Sequence, residues 1–448
     1  MHKKTVLFST ALLLWATLTA HAVKYTEIKA APAGIITLEQ AYDMTLASDQ
    51  TIRTAYYEIR KANLLPWSAL ARLGPQVSAG SNYTASQTRT RNDLEGSAPV
   101  QTNYDSRFAG FTYTQPIFDP SVAPAYRYGK LTAQATRLQY QFTVRETLYG
   151  VAQAYYNVLK QQQLVAVNQQ TVDLARQQLA TAQARYDAGA VARIDVLRAQ
   201  STLEGSRNTL IQFQGNLDVA KDTLSNILNL GGKTNFVLVE PADETDLGIP
   251  FEELLKRAYE CREDYRVSAI GIDQQVALKG EVIAQYAPRV TAQASTGWTS
   301  NSGDRAGREH GSAATVSVSI PFLTGGQREI DLKTAGYKIS QAQLDFEKAA
   351  KTVEADVKTA WVNVETGREA LKALTAEVKA STQNYTDLEA QYQAGAATSL
   401  DAQTALRDLN NSRTLLANQT YEYQIALRNL KRAQAVFQQE RVEKAKVK

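Results

Sequence analysis

The chain has 448 residues, with 49 Lys or Arg against 45 Asp or Glu and a formal charge of +4. So near a balance gives no electrostatic case for nucleic-acid binding, and the single cysteine, Cys261, excludes an intrachain disulfide scaffold. The hydrophobic fraction of 44% is ordinary, but Ala, Gln and Thr fill much of the chain, which favours narrow buried seams over one thick core.

Residues 1–22 read as a secretory signal. Lys3 and Lys4 form the basic start, Leu7 to Leu18 is mostly apolar, and Ala20-His21-Ala22 is a small-x-small cleavage pattern. The mature chain is then expected to begin at Val23, which leaves no cysteine there for a lipid anchor. After Ala22 no apolar run is long enough for a transmembrane helix. An exported chain of this kind is either soluble or crosses a membrane as a β-barrel.

The rest is one unit written twice. Ile36-Thr37-Leu38-Glu39 and Ile249-Pro250-Phe251-Glu252 open the two copies, and Arg53 with Arg266 and Pro75 with Pro288 keep that spacing. The spacing shortens between Gln115-Pro116-Ile117-Phe118 and Ile320-Pro321-Phe322, as a loop around Arg89 to Asn103 longer than its counterpart around Ser300 to Gly311 would require. It then holds through Tyr186-x-Ala188-Gly189-Ala190 and Tyr392-x-Ala394-Gly395-Ala396 to Asp195 and Asp401. The copies are residues 23–230 and 251–448. Between them, 231–250 is a linker with the β-prone run Phe236-Val237-Leu238-Val239.

Each copy carries a β-hairpin pattern, about 76–118 in the first and about 289–323 in the second. Val290, Ala292, Ala294, Thr296 and Trp298 alternate with Thr291, Gln293, Ser295, Gly297 and Thr299. Ala314 to Phe322 alternates in the same way, and Val77 to Thr84 more weakly. The pattern fits a membrane barrel with interfacial aromatics at Tyr83, Tyr113, Phe118, Trp298 and Phe322, and equally a soluble sheet with one wet face. Four strands cannot close a barrel within one chain, so the membrane reading requires several chains to share one. His310 is expected in an external loop.

Helical hairpins follow, about 125–230 and about 327–440. From about Pro124 to Asp187 no proline occurs, and about 60 residues at 1.5 Å each make a helix of roughly 90 Å. Each long helix ends at Tyr-x-Ala-Gly, where glycine suits a left-handed cap. A second helix then runs back, with Thr398 or Ser399 as N-cap ahead of Asp401. Narrow apolar stripes such as Leu148, Val151, Ala152, Tyr155, Val158 and Leu159 suit either a coiled-coil scaffold or the wall of a water-filled tube.

The ordered set resembles the TolC family of outer-membrane efflux channels: the signal, the duplication, one β-hairpin per copy, Leu38-Glu39-x-Ala41, Leu73-Gly74-Pro75-x-Val77, the two proline motifs with Gly325-Gly326, and the paired tips. The resemblance implies a mainly α chain whose four β-strands complete a twelve-stranded barrel in a homotrimer, above an α-barrel of long helical hairpins in the periplasm. It implies an outer-membrane location in contact with lipid, a periplasmic adaptor protein and an inner-membrane pump as partners, no cofactor, no metal and no catalysis. In the family the tips form the periplasmic gate. The matching candidates here are Tyr186, Asp195, Tyr392 and Asp401, and Gly189 and Gly395 are the candidate adaptor contacts. Ala397 stands where the family pattern has an arginine and Thr404 where it has a second acid, so Arg193 is the candidate replacement. Three copies of Asp401 around an axis are expected to attract cations and to repel one another toward protonation. Efflux, protein secretion and a pore-free periplasmic scaffold are the functions to separate.

Overall fold

A computed structural model describes residues 34–90, 100–242, 248–303 and 307–444. The signal sequence, residues 91–99 of the longer loop, 243–247 of the linker and 304–306 lie outside the described residues. The first copy opens with β1 (Ile35–Ile36) and α1 (Leu38–Ser48), where Thr37 and Gln40 form a capping box. Helices α2 (Gln50–Ala62) and α3 (Leu65–Ala71) come next. Pro66, near the N-terminus of α3, has no N–H to continue a helix, and this breaks what is one continuous helix in the second copy.

The first hairpin is β2 (Gln76–Thr90) with β3 (Val100–Phe118), followed by α4 (Val122–Asp187) and α5 (Arg193–Ile227). The 66 residues of α4 make a rod of about 100 Å at 1.5 Å per residue. The linker holds β4 (Val237–Leu238), paired parallel to β1. The second copy runs α6 (Phe251–Cys261), α7 (Glu263–Ala284), β5 (Arg289–Gly303), β6 (Gly307–Ser319), α8 (Gln327–Ala394), α9 (Ser399–Ala433) and α10 (Gln439–Lys444). Cys261 is half-buried and free. Helix α9 stops well short of Gln439, because Ala435 and Gln438 adopt positive φ and turn the chain back.

The four long strands make one antiparallel sheet in the order β2-β3-β5-β6. Its register gathers the apolar positions on one face: Val77, Tyr113 and Ala294 align with Ala314, and Ser81, Ala109 and Trp298 with His310. The strands are longer than the alternation alone marks. Much of the expected first loop, Arg89 and Val100 to Asn103, is paired strand. Tyr83 and Trp298 therefore sit mid-strand, at the level where the apolar band ends and Arg107 and Arg308 begin. His310 is in β6, not in a loop; its ring centroid lies 5.1 Å from that of Trp298. At the other end β6 stops at Ser319, so Ile320-Pro321-Phe322 is not strand, and the Pro321 carbonyl accepts instead from Arg328 at 2.6 Å.

The helices bury seams. Helix α4 packs along α5, α8 along α9, and α4 also meets α7 and α9. The largest cluster joins Tyr42, Val144, Leu148, Val151, Tyr155, Val158, Leu224 and Leu228 to Phe437. The Tyr155 hydroxyl lies 2.6 Å from the Val239 carbonyl and 2.9 Å from that of Ile36, so it pins the β1–β4 pair to α4. Burial pushes this phenol up to about 12.

Buried charges flank this seam, one pair joining the copies and one cluster within the second. Arg145 of α4 donates to Glu263 at 2.5 Å and to the Phe437 carbonyl at 2.7 Å, with both charged side chains almost fully buried. Arg262 forks onto Asp264 at 2.7 and 3.0 Å and reaches Asp356 at 2.9 Å. Burial pushes the Asp264 carboxyl up, but hydrogen bonds and charge from Arg262 outweigh it and leave it below the usual carboxylate range. A depressed folded pKa contributes stability above the unfolded value that is lost as pH falls through the folded one. Urea midpoints are thus expected to hold from pH 7 to about 5 and to fall below about 4. Asp264→Asn should flatten that acid limb; an unchanged limb would exclude this pair as its source.

Candidate functional site

The two helical turns share a backbone solution. Gly189 and Gly395 have φ of 71° and 82°, a region open to glycine at little cost. Ala190 N–H bonds to Arg185 O and Gly189 N–H to Tyr186 O; Ala396 to Gln391 and Gly395 to Tyr392 repeat the pattern. Both are Schellman caps, which satisfy the last helical carbonyls and let the chain reverse.

The side chains around them differ. Helix α9 starts on Thr398, whose hydroxyl accepts from Asp401 N–H at 3.2 Å, while Asp401 accepts from Thr398 N–H at 3.1 Å and from its hydroxyl at 2.6 Å. These bonds hold the exposed Asp401 carboxyl below the usual range, so each chain opposes the protonation expected from a ring of repelling charges. Helix α5 starts on Ala192, which has no hydroxyl and makes no side-chain cap bond. Its third residue, Asp195, faces the other tip instead. It accepts a hydrogen bond from Ser399, with Arg198 at 3.9 Å.

A second tie crosses in the other direction. Arg185, in the last turn of α4, donates to the Tyr392 carbonyl, and its guanidinium carbon stands 4.7 Å from the Tyr392 ring centroid. Tyr392 is only 3% exposed. Its hydroxyl makes no hydrogen bond among the described residues, and burial raises its pKa. The Gln178 amide donates to Ala402 O at 3.3 Å, and Thr171 to Asn410 at 2.6 Å, so the polar zip continues up the hairpins.

The fold thus brings Asp195, Tyr392 and the two glycine turns together, and leaves Tyr186 and Arg193 exposed. Arg185, not Arg193, reaches the other tip. Ser399, a candidate cap in the sequence, leaves that role to Thr398 and ties the tips instead. Arg185 carries one signal in the sequence: Arg185 and Ala192 of the first tip stand opposite Gln391 and Thr398 of the second. Asp401→Asn keeps an oxygen for the cap and removes the charge. In a pore of the kind that the resemblance implies, it is expected to lower cation selectivity in planar-bilayer recordings, and an unmoved reversal potential would place Asp401 outside any conduction path.

Residues 41–230 and 254–435 match the model of the outer membrane efflux protein family. The outer membrane protein TolC of Escherichia coli is 26% identical over 415 residues, covering 88% of this chain and 81% of that protein. The alkaline protease secretion protein AprF of Pseudomonas aeruginosa is 21% identical over 88% of this chain and 83% of its own length. Among solved structures, the CmeC outer membrane channel of Campylobacter jejuni superposes with a TM-score of 0.74 at 16% identity, over 91% of this chain and 89% of that one.

Proposed function

This chain belongs to the outer membrane efflux protein family, and from that premise we propose that three copies form the outer-membrane channel of a tripartite efflux system. The protein sits in the outer membrane with its helical part in the periplasm. The four-stranded sheet carries the proposal. One face is apolar, and β2 and β6 are both edges. An open edge in lipid leaves backbone groups unpaired at a cost of several kcal/mol each. Pairing β2 of one chain with β6 of the next removes every edge, and three chains then close a barrel of twelve strands. The small polar face, with Ser78, Thr112, Gln293 and Thr315, lines the bore.

The helices continue that bore as a wall wet on both sides, which their narrow seams and polar flanks allow. No reacting group is needed, because cargo arrives from an inner-membrane pump through a periplasmic adaptor. Adaptor contact falls on the turns at Gly189 and Gly395, beside the exposed Ile194 and Leu400. Crosslinkers placed at these turns should capture the adaptor. Tyr186, Arg193, Asp195, Tyr392 and Asp401 surround the mouth. Purified protein should need detergent, run as a trimer and conduct in a planar bilayer; a water-soluble chain without conductance would favour a periplasmic scaffold. A secretion channel is the second reading, favoured by the likeness to AprF. Deleting the gene separates the two, by drug sensitivity or by loss of a secreted protein.

A further inference from the structure

Four glycines stand in one row across the sheet. Gly80 pairs with Gly110, Gly110 with Gly297, and Gly297 with Gly311. Glycine inside a strand weakens it and often marks a close approach. Here the approaching group is Phe108. A Cβ built on Gly297 would lie 2.6 and 2.8 Å from two carbons of the Phe108 ring and 3.0 Å from the Ala109 carbonyl oxygen, and one on Gly110 would lie 2.6 Å from the same ring and 2.7 Å from the Thr296 carbonyl oxygen. The ring therefore lies flat over two glycines, on the face shared with Asn82, Thr299 and Glu309. That face is otherwise small and polar along the lower strand, where Ser78, Thr112, Ser295 and Ala313 form the next row but one. The opposite face already has the apolar residues that lipid requires. Phe108 is thus a large apolar side chain turned to the polar side, seated where Cβ atoms are missing beneath it.

We propose that Phe108, folded into this glycine trough, sets the size limit of the bore at mid-barrel. The inference rests on the three-chain barrel proposed above, in which three such rings lie at one level. With the trough intact the rings lie against the wall, and the bore is as wide as they allow. A methyl group in the trough displaces the ring toward the axis, and pore diameter at a constriction decides what passes.

The test reads access from outside, independently of the periplasmic mouth. In a Cys261→Ala background, Ser295→Cys places a thiol on the bore face two positions to the periplasmic side of Gly297, and Asn301→Cys places one toward the hairpin end. Intact cells are labelled with maleimides of graded size. Gly297→Ala is expected to cut labelling of the deeper thiol by the larger reagents roughly tenfold, to leave the outer thiol unchanged, and to be reversed by adding Phe108→Ala. Phe108→Ala alone, with every glycine intact, is expected to admit larger reagents than the parent; it decides the matter if Gly297→Ala yields no trimer. An unchanged size limit in either variant overturns the role of Phe108. Failure of the smallest reagent to reach the deeper thiol in the parent, with the outer thiol labelled, overturns the open barrel itself.

Discussion

In the channel proposed above, replacing Arg185 by alanine should hold the periplasmic mouth open. Arg185 makes a charge-assisted hydrogen bond to the Tyr392 carbonyl and stacks on the Tyr392 ring. Hydrogen bonds to charged groups contribute about 1.5–3 kcal/mol and cation–π contacts about 0.5–2. The site is only partly buried, so about 2 kcal/mol per chain is a fair combined value. If each chain's tips part independently, the open fraction rises about thirtyfold; if three open in concert, about 6 kcal/mol corresponds to a factor on the order of 10⁴. Single-channel recording of the purified protein distinguishes these outcomes by open probability. Arg185→Lys keeps the charge without the planar fork and should fall between parent and alanine. An open probability equal to the parent's would mean that the Asp195–Ser399 bond holds the tips by itself.

Replacing Arg145 by alanine should be strongly destabilising. Its partner Glu263 is 6% exposed at the side chain, and one of its oxygens already has no hydrogen-bond partner among the described residues. Removing the arginine leaves a buried carboxylate uncompensated, which costs about 3–5 kcal/mol. The loss also frees the Phe437 carbonyl, and with it the turn that seats Phe437 against Tyr42 and Tyr149 at ring separations of 6.0 and 6.1 Å. The melting temperature of the detergent-solubilised protein should fall by many degrees. The double change Arg145→Met with Glu263→Met should recover most of it, because an apolar pair of similar volume needs no compensation. If the double variant melts as low as the single one, the ion pair is not the source of the loss.

Much of this is legible in the sequence alone. The duplication was plain in the spacing of Pro75 with Pro288 and of Tyr186-x-Ala188-Gly189 with its twin, because repeated turns need repeated glycines. The long helices were visible because a proline-free run has nothing to end it. The family, and with it the outer-membrane location, followed from the order of motifs that are individually weak. The strand ends were not legible. Polar residues such as Gln87, Arg89 and Gln101 continue a ladder beyond the apolar band, and alternation stops reporting once neither face is buried in lipid. His310 was misplaced for that reason.

The sequence by itself determined the repeat, the element types, the apolar face of the sheet and the two capped turns, all of which are local or periodic properties. Tertiary structure alone decided which residues meet between copies. Arg185 reaches Tyr392, Asp195 meets Ser399 because Ala192 offers it no cap, and Phe108 lies on Gly297 across a strand pair. Each contact joins residues far apart in the chain, through side chains whose local signal is silent. The register of a sheet and the lateral packing of two hairpins are the least local features of a fold, so the ties between the tips and the seat of Phe108 become readable only when the copies are side by side.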